Sequence, residues 1–275
     1  LGKVQKIPTF AIYLYIMAGF LFHEVIFGPV RSRRLGLSLG INLLPRHSKF
    51  CSFNCIYCEC GWTPPGSEKD QDLPLLNEVS QFLEQKLQEL SDTDYLPDAL
   101  TFAGNGEPTL HPKFSEIVDS TINLRDRYAP EANVAILSNA SRIHDPNVFS
   151  ALMKMDKNIQ KLDSGSERIF KLMNNPVEPV KFHNLIADLK KFRGKVIIQS
   201  MFLRGTFRYE RVDNTNESEV GLWLDCLLEI KPEVVMIYPI ARETPVHNLE
   251  KIPIFELERI AGRVRDAGLR VEVFG

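Results

Sequence analysis

From residue 35 onward, short apolar runs alternate with amphipathic segments, a rhythm that predicts βα units and a mostly parallel sheet. The first strand is expected over Leu37 to Leu44, followed by a long cysteine-bearing loop with Pro64, Pro65 and Gly66 at its far side. A helix from Leu75 to Leu90 follows, with Leu76, Val79, Leu83, Leu87 and Leu90 as its apolar stripe. Asp98 to Gly104 reads as the second strand, Pro112 opens a helix through Tyr128, and Val134 to Ala140 is the third strand. The pattern continues with a helix over Pro146 to Lys154 and a strand over Asn158 to Asp163. Helical segments then reach Phe192, broken at Pro176 and Pro179, before a fifth strand at Lys195 to Leu203. Glu217 to Ile230 is a helix whose buried face is Val220, Trp223, Leu224, Leu227 and Leu228. Val234 to Ile240 is the sixth strand, Phe255 to Ala267 the last helix, and Leu269 to Phe274 runs extended after Gly268.

Six strand-helix units fit an α/β fold of the partial parallel (β/α)6 barrel kind. No internal repeat, low-complexity tract or linker marks a second domain. The chain has 275 residues, and α/β barrels commonly reach about 250 residues as one unit. In such folds the chemistry gathers at the carboxyl ends of the strands.

Charge and composition narrow the function classes. Lys+Arg 33 against Asp+Glu 35 gives a net charge of −2, too balanced for a basic nucleic-acid coat. With 44% hydrophobic and 25% charged residues, disorder, collagen-like repeats and a multi-span membrane protein are excluded. Residues 1–23 form an apolar extension ahead of a core domain at 24–275. Its run from Ile7 to Phe22, behind Lys3 and Lys6, has the outline of a signal peptide. The run is shorter than the roughly 20 residues of a spanning helix and no small-x-small cleavage site follows it. It is therefore read as sequence upstream of a natural start at Met17, or as a docked terminal strand or helix, in a protein of the cytoplasm with no membrane partner.

Four of the five cysteines, Cys51, Cys55, Cys58 and Cys60, lie within ten residues, whereas Cys226 stands alone as a small core residue. So tight a group in an ordinary globular composition points to metal in a reducing compartment rather than to disulfides. Cys51, Cys55 and Cys58 have the spacing C-x3-C-x2-C. Three thiolates on a four-iron cube leave one iron without a protein ligand, as in a catalytic cluster rather than an electron-transfer one. The alternative is a structural zinc loop with Cys60 as the fourth ligand, for which the spacing is cramped.

The C-x3-C-x2-C motif, with the aromatic Tyr57 before its last cysteine, resembles the signature of the radical S-adenosylmethionine (SAM) superfamily. Together with the lead-in from Phe27 to Pro45 and the run FAGNGEPTLHP (Phe102 to Pro112), it resembles iron-sulfur oxidoreductases related to wyosine-type tRNA base synthases, from about residue 24 to the end. The resemblance implies a 4Fe-4S cluster on Cys51, Cys55 and Cys58, and S-adenosyl-L-methionine bound to its open iron. It implies reduction by a partner such as flavodoxin or ferredoxin, then cleavage of the sulfonium to a 5'-deoxyadenosyl radical that abstracts hydrogen from substrate.

Gly104, Asn105, Gly106 and Glu107 resemble the superfamily's Gly-Gly-Glu motif, which binds the methionine amino group, with Asn105 as the departure. A tight turn is the plain alternative for the glycines, and Glu107 has no evident fold-making role in the sequence. Ser138, Asn139 and Asp163, with Lys161 and Ser164 near them, offer ribose or carboxylate contacts; helix capping is the alternative for each. Arg31, Arg33 and Arg34 form a basic run that is either a solvated face or an anion site. Gln199, Arg204, Tyr238, Arg242 and Glu243 are expected on the substrate side, and His111 belongs to the motif run or packs locally. The substrate, a small molecule, tRNA or a partner protein, is open, as is a glycyl-radical-enzyme activase role. Wyosine-type synthases carry cysteines for a second cluster and this chain has no second constellation. A non-catalytic zinc-binding module is the alternative from another class.

Overall fold

The structure, a computed structural model, describes residues 19–66, 72–93 and 95–275. The apolar run before residue 19, with Met17 in it, lies outside the described residues. Strands β1 (Ile26–Ser32) and β2 (Gly36–Ile41) form an antiparallel hairpin. After the cysteine loop come α1 (Leu76–Ser91), β3 (Ala99–Phe102), a 3-10 turn at Pro108–Leu110 and α2 (Phe114–Tyr128). Next are β4 (Asn133–Ser138), α3 (Pro146–Leu152), β5 (Lys157–Lys161), α4 (Glu167–Asn174) and α5 (Phe182–Lys190). The chain ends with β6 (Ile197–Phe207), β7 (Glu210–Asp213), α6 (Glu217–Ile230), β8 (Val234–Pro239), β9 (Leu249–Lys251), α7 (Ile254–Asp266) and β10 (Val271–Val273).

Strands β2, β3, β4, β5, β6, β8 and β10 lie side by side in that order and all run parallel, the partial barrel expected from the βα rhythm. The extended stretch after Gly268 supplies a seventh parallel strand, beyond the six expected. Three strands were not anticipated. β1 covers one edge, and β7 and β9 pair antiparallel with the far half of β6, which runs past Leu203 to Phe207. Among the described residues the sheet does not close, and β1 and β10 are its two edges. Side chains bridge the seam between them. Arg33 donates to the Gly275 carbonyl just past β10, while Arg34 crosses the lumen to β6 and β8, donating to Gln199 Oε1 at 2.7 Å and lying 5.0 Å from the Tyr238 ring centroid.

Two apolar layers hold the barrel. The larger lies between sheet and helices and includes Leu39, Ile41, Leu100, Phe102, Phe114, Ile136 and Trp223. The smaller, formed by Ile159, Ile197, Val234 and Met236 with Leu35, Leu137 and Phe274, fills the base of the lumen. Side chains two apart on a strand share a face. Going toward the carboxyl ends, the inner face therefore changes from Ile159 to Lys161, from Ile197 to Gln199 and from Met236 to Tyr238: apolar base, polar mouth.

In α6 the expected face is corrected at one position. Leu228 is exposed, and Glu219 is buried, accepting the Gly165 and Ser166 N–H groups at 2.7 and 2.9 Å. Helix α2 begins at Phe114, two residues after Pro112, with Lys113 as its N-cap residue. No helix among the described residues is long and apolar enough to cross a membrane.

Candidate active site

The loop after β2 brings Cys51, Cys55 and Cys58 to the carboxyl end of the parallel sheet, laced on both sides by main-chain hydrogen bonds. On one side Phe50 N donates to Asn105 O at 2.9 Å and Glu107 N to Phe50 O at 3.1 Å. On the other, Asn54 N donates to Asn175 O at 3.0 Å, Ile56 N to Met173 O at 2.9 Å and Val177 N to Ser52 O at 2.9 Å. The loop thus spans from the β3 turn to the end of α4. N–H groups reach two of the sulfurs: Phe53 N and Asn139 Nδ2 lie 3.4 and 3.5 Å from Cys51 Sγ, and Asn174 Nδ2 3.5 Å from Cys55 Sγ.

Lys49 is 2% exposed, and its ammonium donates to Gly61 O at 2.9 Å. Burial works against its charge, but the sulfurs of Cys58, Cys51 and Cys55 outweigh it and hold its pKa above the usual lysine value. Burial pushes Cys51 up to about 12. Cys58 is lowered to about 5, first by a hydrogen bond from Cys60 and further by Lys49. Among the described residues no three His, Cys, Asp or Glu side chains converge as a single metal ion requires. A four-iron cube instead receives each thiolate on a different iron. Three thiols, N–H groups at the sulfurs and a buried ammonium fit the cube.

The glycines of the β3 turn are needed for close approach. Gly106 has φ +144°, and a Cβ there would lie 1.8 Å from Phe50 O; one on Gly104, at φ +153°, would lie 2.3 Å from Asn42 Oδ1. Glu107 does have a role in the fold. Its Oε1 accepts from Thr109 N and Oγ1 at 3.1 and 2.6 Å, capping the 3-10 turn, and its Oε2 accepts from Asn139 N at 2.6 Å. Burial raises its pKa against the pull of those hydrogen bonds. Asn105 is wholly buried with its carboxamide bonded to Phe22 and Pro45, so only its main chain faces the turn.

Ser138 and Asn139 end β4 beside the cysteine loop. Asn139 Nδ2 also donates to Ser52 Oγ at 2.9 Å, and Ser138 Oγ accepts from Ala140 N at 3.2 Å. Ala140, buried, has φ +68°, a left-handed conformation that costs a non-glycine residue about 1 kcal/mol or more. Asp163 is a hub. Its Oδ2 accepts from the Tyr57 hydroxyl and from Asn174 Nδ2 at 2.8 Å, its Oδ1 from Met201 N at 2.8 Å, and Lys161 Nζ lies 3.7 Å away. Next to it, the Ser164 hydroxyl is buried with no partner among the described residues.

Gln199 and Tyr238 meet Arg34 inside the lumen. Of the other candidates, Arg242 reaches the cysteine loop at Glu59, and the rest have other partners or are exposed. Arg204 pairs with Glu256 and Glu250, Arg242 with Glu59 at 2.5 Å, and His111 with Pro74 O and Lys113 N at 2.9 and 3.1 Å; Arg31 and Glu243 are exposed. Lys49, Asn42, Asn174 and Ala140 are residues that sequence reasoning missed. Only Lys49, two residues before Cys51, left a signal there.

Several solved structures share this architecture. A radical SAM methyltransferase from Sphaerobacter thermophilus matches with a TM-score of 0.62 at 12% identity, over 86% of this chain and 65% of that one. SuiB from Streptococcus suis, bound to S-adenosylmethionine, matches at 0.59 and 17%, over 86% of this chain and 50% of its own. This chain has the radical SAM fold. Within that fold the cysteine loop lies where the strands' carboxyl ends open. Among curated sequences, the UPF0026 protein MJ1312 of Methanocaldococcus jannaschii is 33% identical over 189 residues, 67% of this chain and 56% of that protein. A protein named GTPase Obg from Brachyspira hyodysenteriae is 29% identical over 253 residues, 90% of this chain. The chain spans 34% of the latter's length, and it contains no G-x4-G-K-[ST] phosphate loop. No protein-family profile matches the chain.

Proposed function

We propose that this protein is a radical SAM enzyme, with Cys51, Cys55 and Cys58 as ligands of a 4Fe-4S cluster that S-adenosyl-L-methionine completes. The observation that carries the reading is the three-thiol loop set over the polar mouth of a parallel partial barrel, with amide N–H groups at its sulfurs. When bound and reduced, the cluster supplies the one electron that cleaves S-adenosylmethionine into methionine and a hydrogen-abstracting radical. The protein's own residues bind, orient and shield. Lys49 offsets the charge of the thiolates, Gly104 and Gly106 let the chain approach closely, and Glu107 holds the ends of β3 and β4 together beside the ligand. Ser138, Asn139 and the Ser164 hydroxyl present polar groups to ribose or carboxylate, and Asp163 orders Tyr57 and Lys161. The reductant is a flavodoxin or ferredoxin of the cytoplasm, and the substrate lies toward Gln199, Tyr238 and Arg34.

Anaerobic reconstitution with iron and sulfide tests this reading. A brown, oxygen-sensitive protein that releases 5'-deoxyadenosine only with reductant is expected. Cys51→Ala, Cys55→Ala and Cys58→Ala should each lose the chromophore, while Cys60→Ala keeps it. Stoichiometric zinc with no 5'-deoxyadenosine would instead make the chain a metal-binding module.

A further inference from the structure

Asn105 stands where the superfamily's motif has its first glycine, and its side chain explains the departure. The carboxamide is wholly buried and pairs with one residue's main chain in both directions: Oδ1 accepts from Phe22 N at 2.8 Å and Nδ2 donates to Phe22 O at 2.8 Å. Nδ2 also donates to Pro45 O at 2.8 Å, and Asn105 N donates to Asn42 Oδ1 at 3.1 Å. A side chain thus does what a neighbouring strand would do for residue 22.

Residues 19–24 are thereby strapped between two loops. At the far end, Phe20 N donates to Glu59 O at 2.8 Å, and Gly19 lies against the backbone of Cys60 and Gly61. The Phe22 ring stacks on Phe27 with centroids 3.7 Å apart. On the other side of Asn105, its carbonyl takes the Phe50 N–H, one residue before Cys51. Flanked by two glycines, Asn105 sits in the part of the turn with the greatest backbone freedom, and its side chain removes that freedom. Breaking the pair would leave buried donors and acceptors unmet.

We propose that Asn105 is a positioning residue: through its carboxamide the segment at 19–24 holds the Gly104–Glu107 turn in the form that binds S-adenosylmethionine. The inference rests on the function proposed above. Asn105→Gly brings the sequence closer to the superfamily motif, yet it should weaken the site.

Two variants of the full, reconstituted chain separate the possibilities, Asn105→Gly and Phe22→Pro. The second removes the N–H from the other partner and leaves the turn's sequence intact. Hydrogen exchange should rise in residues 19–24 and 104–107 of both, with iron content at the wild-type level. Equilibrium dialysis with S-adenosylmethionine should show an affinity about tenfold weaker in each, from the loss of one or two buried hydrogen bonds. Exchange at 19–24 unchanged in Asn105→Gly, or affinity unchanged in a variant whose 19–24 segment has loosened, overturns the proposal. A wild-type chain that carries its cluster and binds no S-adenosylmethionine defeats the functional reading instead, and dialysis of that protein alone reveals it.

Discussion

A methyl group on Gly106 would meet the Phe50 carbonyl oxygen at 1.8 Å, from a backbone already at φ +144°. Gly106→Ala should therefore cost about 3 kcal/mol, read as a lower urea midpoint, and displace the cysteine loop so that less iron is retained. Asp213 gives a pH signature. Burial opposes its charge, but hydrogen bonds from Thr215 and Arg211 prevail and hold its carboxyl below the usual carboxylate range. With the folded value below the unfolded one, its contribution is complete above about pH 4 and lost as pH falls through the folded value. Asp213→Asn should lower the urea midpoint at pH 7, and the gap from wild type should shrink as the titration is carried below about pH 3. At this scale the thiols were legible because their spacing is local. Asn174 was not: it reaches Cys55 across 119 residues, and only the fold brings them together. Glu107 shows the opposite limit, since a carboxylate after a strand does not announce that both its oxygens serve the turn and β4.

Strands β4, β6 and β8 announce themselves as apolar runs because both their faces are covered, and the helices between strands by their stripes, whereas β5, Lys-Asn-Ile-Gln-Lys, does not. β7 reads Glu-Arg-Val-Asp and β9 Leu-Glu-Lys, too short and polar to stand out, and both exist only because β6 continues past the barrel to offer them an edge. β1 contains Gly28 and Pro29, and its ladder slips between Phe27 and Val30, so its alternation is broken in the sequence as well. Helix α6 is anchored by Trp223, whose indole N–H donates to Leu162 O at 3.1 Å and Ser200 Oγ at 3.0 Å and whose ring meets Phe202 edge-on at 5.2 Å. Trp223→Ala should cost about 3–5 kcal/mol by urea unfolding. Trp223→Phe keeps most of the volume and should cost about 1–2 kcal/mol, the share of the lost hydrogen bonds.

On the scale of the whole molecule, the cysteine loop is tied to β3 on one side and to α4 on the other, so a cluster held there links the first half of the barrel to the second. Ligands that bind the folded chain alone raise its stability by mass action. Anaerobic loading should raise the melting temperature by several degrees, and exposure to air should remove the gain along with the chromophore, followed by calorimetry and absorbance on one sample. The seam between β1 and β10 behaves differently from every other junction in the sheet. Elsewhere, parting two neighbours means rupturing a ladder of main-chain bonds. Among the described residues no such ladder joins the two edges, and Arg33, with Leu35 and Phe274 in the apolar base, spans the gap through side chains, so parting them would cost side-chain contacts rather than backbone pairs.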